Sequence, residues 1–87
     1  MNKDERKRLK PGVRVVAIRD YHGSSYLIET GSPGFPVRTE YQNVKAGWTG
    51  TFVRSSSGSG PTFKIVKWDQ TGIESEVDHY SIEHLGA

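Results

Sequence analysis

The stretch that decides the fold runs Trp48–Arg54 (WTGTFVR), Ser55–Pro61 (SSSGSGP) and Thr62–Trp68 (TFKIVKW). Two runs rich in β-branched and aromatic residues flank a short serine and glycine connector, which reads as an antiparallel hairpin. The connector is longer than a tight two-residue turn, so a mobile tip is expected. Alternation sets Trp48 and Phe52 against Thr51 and Val53, and Val66 and Trp68 against Phe63 and Ile65. Both faces of the hairpin therefore carry large apolar groups, more than one small core absorbs. Each tryptophan has two competing roles: packing in the core or rim, or membership of an exposed aromatic patch for a partner.

Outward from the hairpin, Asp69-Gln70-Thr71-Gly72 reads as a turn, with Asp69 able to bond backbone amides and Gly72 free to take a positive φ. A short strand is expected over Ile73–Val77, and the chain closes with Ser81–Leu85 (SIEHL). Towards the N-terminus, Pro11-Gly12 opens a strong strand at Val13–Arg19 (VRVVAIR), apolar on both alternating sets and so expected to be covered on both faces for part of its length. Between Asp20 and Gly47 the pattern is irregular. Tyr26–Glu29 (YLIE) and Phe35–Arg38 (FPVR) read as short strand pieces around a Gly31-Ser32-Pro33-Gly34 turn, and Pro36, with no amide to donate, places its piece at an edge or outside regular strand. Excursions of this length commonly carry binding function. Met1–Lys10 is dense in charge and is expected as a flexible tail, leaving 11–87 as the folded domain.

Composition points the same way. The 87 residues leave room for one domain. Val, Ile and Thr total 19 against six Ala and Leu, and ten Gly and four Pro interrupt every stretch in which a helix could lengthen. The expectation is an all-β domain of five or six short strands, closed into a small barrel so that no long edge is exposed. Without cysteine there are no disulfides, thiolate ligands or thiol chemistry, and a reducing compartment, the cytoplasm, fits. No apolar run approaches the roughly 18 residues of a membrane span, and no apolar stretch follows the charged N-terminus, so no membrane association is expected.

Lys10-Pro11-Gly12-Val13-Arg14-Val15-Val16, Gly47-Trp48-Thr49-Gly50-Thr51-Phe52-Val53, Ile65-Val66-Lys67-Trp68-Asp69 and the closing Ile82-Glu83-His84-Leu85 together resemble the SH3-like barrels, within them most closely the Tudor, KOW and MIB/HERC2 branches. The resemblance covers about two thirds of the chain. It implies a small SH3-like barrel in which Gly47 and Gly50 bend the backbone at a corner. Through the Tudor and KOW branches it also implies a nucleic-acid-binding alternative. Folds of this kind host many unrelated functions, so the site must be argued from its own residues.

Catalytic and metal patterns are missing. His79 and His84, with Asp78 and Glu83, have a spacing that matches no standard ligand set. Asp78-His79 and the many serines form no Gly-x-Ser-x-Gly elbow, and Gly58-Ser59-Gly60 is followed by neither Gly-Lys-Ser/Thr nor a helix. No enzyme, metal or cofactor is expected. The leading expectation is a non-catalytic regulatory or adaptor module that docks a protein segment by groove contacts or strand addition. Its anchors would be Tyr21, Tyr26, Phe35, Tyr41, Trp48 and Trp68, with Arg38 and Lys45 as rim charge. The net charge is only +2, but residues 1–45 hold nine of the 12 basic side chains. The nucleic-acid alternative therefore places Lys7, Arg8, Lys10, Arg14 and Arg19 on phosphates.

Overall fold

The computed structural model describes residues 9–55 and 63–85. The charged tail up to Arg8 and the connector from residue 56 to 62 lie outside the described residues, and with them the expectations of flexibility placed there. The domain is all-β. Among the described residues its strands are β1 (Arg14–Ala17), β2 (Tyr21–Glu29), β3 (Val37–Val44), β4 (Thr49–Ser55), β5 (Phe63–Trp68), β6 (Glu74–Asp78) and β7 (Ile82–His84), with a 3-10 turn at His79–Ser81. Asp78 caps that turn by accepting from the Tyr80 amide. Among the described residues no helix is long and apolar enough to cross a membrane.

Five strands form one antiparallel sheet in the order β6-β5-β4-β1-β7, and β2 and β3 form a separate two-stranded sheet. Seven strands in two sheets thus replace the expected five or six in a closed barrel. Among the described residues the two sheets share no ladder. β2 lies against β6, but what meets it there is the Ser24 hydroxyl, 2.7 Å from the Glu76 carbonyl and 2.7 Å from Ser75 Oγ, rather than a strand register. The irregular Asp20–Gly47 segment is mostly regular: seven residue pairs join the nine-residue β2 to the eight-residue β3 around the anticipated turn, with a register shift between Tyr21 and Ser24. Its polar, exposed residues hide the period, because a projecting ribbon has little core to face.

Alternation in the five-stranded sheet is clean. Val15, Ala17, Phe52, Val66, Trp68, Val77 and Ile82 point inward and are buried, joined by Val44 from β3. Val15 opposes Gly50, which in turn opposes Trp68. Gly50 is needed for this close approach and not for a corner: its φ is ordinary, and a Cβ there would stand 2.6 Å from the Lys67 carbonyl oxygen and 2.7 Å from a Val66 methyl. A bulge between Phe52 and Arg54 then shifts the register, letting β4 bend along the sheet.

On the outer face, the Arg14 guanidinium grips Asp69 through both nitrogens, one bond being 2.9 Å, and donates to Thr51 at 2.8 Å. Thr49 donates to the same carboxylate at 2.7 Å. Arg14 and Thr49, by hydrogen bonding, hold the Asp69 carboxyl down at about 2.

A candidate partner-binding hairpin

The β2–β3 ribbon has two chemically different faces. Directly opposed residues share a face, so Ser24, Tyr26 and Ile28 lie with Gln42, Glu40 and Arg38, while Ser25, Leu27 and Glu29 lie with Tyr41, Thr39 and Val37. The first set turns towards the core sheet through a buried polar latch. Ser75 Oγ on β6 accepts from Trp68 Nε1 at 3.0 Å and from Gln42 Nε2 at 2.9 Å, and lies 2.7 Å from Ser24 Oγ. Each hydroxyl has one proton. Ser24 gives its proton to the Glu76 carbonyl, so Ser75 gives its own to Ser24, and both hydroxyl hydrogens and the indole N–H have an acceptor. Trp68, Ser75, Ser24 and Gln42 come from four strands, which makes this latch the tie between ribbon and sheet.

The second set faces away. Leu27 is 68% exposed, Tyr41 64% and Val37 48%, and Phe35 at the head of the ribbon is 77% exposed. Scattered surface leucines are ordinary, but three apolar side chains on one face of a two-stranded ribbon, with a phenylalanine beside them, form a contiguous strip.

Between the ribbon and the sheet lies a half-open groove of about 730 Å³. One wall is Ser25–Ile28 of β2; the other is Gly72–Glu74 with Glu76 of β6, and Ile65, Lys67 and Arg54 form its floor. β2 and β6 run in opposite directions, touch at Ser24 and Glu76, and leave this opening beyond the contact.

The anticipated anchors are distributed over three places. Phe35 and Tyr41 belong to the exposed strip. Tyr26 lines the groove, and Arg38 sits on the same ribbon face, paired with Glu40 at 2.7 Å. Tyr21, Lys45 and Trp48 are at the opposite end of the ribbon, and the eight residues of β3 put roughly 25 Å between the two ends. Tyr21 is half-buried against the core, and burial, then the charges of Asp78 and Glu76, push its phenol up from 10.0. Trp48 is half-buried, edge-on to Trp68 at 6.1 Å. Trp68 leaves the anchor set: its side chain is fully buried and its indole N–H is spent on Ser75. An inward β5 position opposite a glycine supplied the space that a ring of this size needs.

Of the basic set, Lys10, Arg14 and Arg19 are exposed, and Lys7 and Arg8 lie outside the described residues. Arg14 is engaged by Asp69, a contact between residues 55 apart that no local pattern announces. Leu27 and Val37 are the strip residues that the sequence reading passed over. The signal was there, since Leu27 and Tyr41 sit at outward positions once the ribbon is paired about Gly31-Ser32-Pro33-Gly34. Among the described residues no three histidine or carboxylate side chains converge.

Compared with family models, with curated proteins and with solved structures, the chain matches none of them.

Proposed function

We propose that this chain is a non-catalytic binding module, acting as a regulatory or adaptor protein in the cytoplasm, that docks a protein partner through the outer face of the β2–β3 ribbon. The observation that carries the reading is the strip of Leu27, Val37 and Tyr41 with Phe35, apolar and exposed on an element tied from behind by the Ser24–Ser75 latch. Large aromatics on a preorganised element dominate interface energy because they bury much area at little entropic cost. We also read the fold as an SH3-like barrel left open along one seam. The order β6-β5-β4-β1-β7, the excursion inserted after β1 and the 3-10 turn before β7 support that reading. Nothing of comparable weight favours the nucleic-acid alternative, because Arg14 is held by Asp69.

The test is affinity purification with the wild-type chain and with the Phe35→Ala/Tyr41→Ala double variant, each first checked for native circular dichroism. The partner bound by the wild type is expected to fall at least tenfold with the variant. Equal recovery by a folded variant overturns the reading.

A further inference from the structure

The directions of the backbone groups along the groove define what it can hold. The Thr30 amide donates to the Pro36 carbonyl at 3.0 Å, which makes their pair one of the hydrogen-bonded positions of the β2–β3 ladder. Hydrogen-bonded and non-hydrogen-bonded pairs alternate along an antiparallel ladder. Ile28, Tyr26 and Ser24 therefore direct their N–H and C=O groups at β3, whereas Leu27 and Ser25 direct theirs away from it, towards the groove. On the other wall, the Trp68 amide donates to the Ile73 carbonyl at 3.2 Å, so Ile73 and Ser75 bond to β5 and Glu74 and Glu76 point their backbone outward. The Ser24 bond to the Glu76 carbonyl confirms that direction independently. Two strand edges thus face each other across an opening, each aiming backbone donors and acceptors into it.

The side chains complete the description. Ile28, Ile65 and Ile73 are half-buried and border the opening, so an occupant meets apolar surface at alternate positions. Arg54 is exposed at the edge of the floor, where it complements an acidic residue. We propose that this groove receives an extended segment of a partner protein as an added strand, hydrogen-bonded to the edge of β2, with apolar residues at alternate positions and one carboxylate reaching Arg54. Strand addition of this kind draws affinity from main-chain bonds and specificity from alternate side chains. The inference rests on the binding-module reading and specifies the form that the partner takes.

A phage library of random twelve-residue peptides panned against the wild-type chain tests it, with enriched peptides synthesised and measured by calorimetry. Alternating apolar peptides that carry an acidic residue are expected. Leu27→Pro removes an edge amide without touching the β3 ladder, and is expected to weaken binding at least tenfold beyond Leu27→Ala, which trims the same strip side chain but keeps the amide. N-methylating the peptide's amides one at a time should abolish binding at every second position, a readout that needs no protein variant. Panning against Arg54→Glu should replace the acidic residue with lysine or arginine. Peptides indifferent to Leu27→Pro and to N-methylation, but lost with Phe35→Ala/Tyr41→Ala, overturn strand addition and leave the outer-face reading standing. A library that enriches nothing also overturns strand addition, and the outer face is then judged by its own purification test.

Discussion

Ser24 and Ser75 are 51 residues apart in sequence, yet both are fully buried and their hydroxyl oxygens are 2.7 Å apart. Since the two sheets share no ladder among the described residues, this contact and its neighbours orient the ribbon. Ser75→Ala strands the Trp68 indole N–H in the core and removes the acceptor of Gln42. A buried donor left unpaired costs about 1–3 kcal/mol, and that loss is the expected outcome in urea unfolding. The Ser24→Ala/Ser75→Ala double variant should lose less than the sum of the singles, with a coupling of about 0.5–3 kcal/mol. Strict additivity would mean that the latch does not act as a unit.

Gly50→Ala is expected to destabilise the domain by about 1–3 kcal/mol, because the new methyl group meets the Lys67 backbone, which cannot move without disturbing β5. Gly34→Ala serves as the comparison. Nothing stands within 4 Å of its Cβ position and its φ is not positive, so the substitution should be neutral or stabilise by about 0.4–1 kcal/mol. Denaturant midpoints of the two variants check this directly.

The Arg14–Asp69 pair predicts an acid-dependent contribution. Asp69 titrates at about 2 in the folded chain against an ordinary 3.8. A folded value below the unfolded one means that the stabilisation is fully present above about 4 and is lost as the pH falls through the interval down to about 2. Thermal midpoints of wild type and Asp69→Asn should differ at neutral pH and converge near pH 2. Both partners are more than 40% exposed, so the difference is expected to be small and to shrink with added salt. A constant gap across that pH range would contradict the assignment.

The tryptophans should separate optically. Trp48→Phe leaves Trp68, fully buried, as the sole indole, and its fluorescence should resist acrylamide. Trp68→Phe leaves the half-exposed Trp48, with quenching expected to rise several-fold. It also deletes the indole bond to Ser75, for which a loss of roughly 1–3 kcal/mol is expected. Similar quenching of the two variants would argue against the burial of Trp68.

What the sequence by itself determined was the all-β class and the elements with local signals: the β4–β5 hairpin, the strand opened by Pro11-Gly12 and the turn at Asp69–Gly72. Each follows from period-two alternation and from turn residues whose preferences act over a few neighbours. Phe35 and Tyr41 stood out in the sequence as large aromatics of the irregular segment, and both are exposed. Tertiary structure alone decided that Trp68 lies inside and Trp48 at the rim, that Arg14 belongs to Asp69, and that the second sheet stands apart with a groove beside it. Those outcomes depend on residues from 7 to 55 positions apart meeting across strands. Alternation assigns a residue to a face, but which face becomes the interior is settled only when sheets pack.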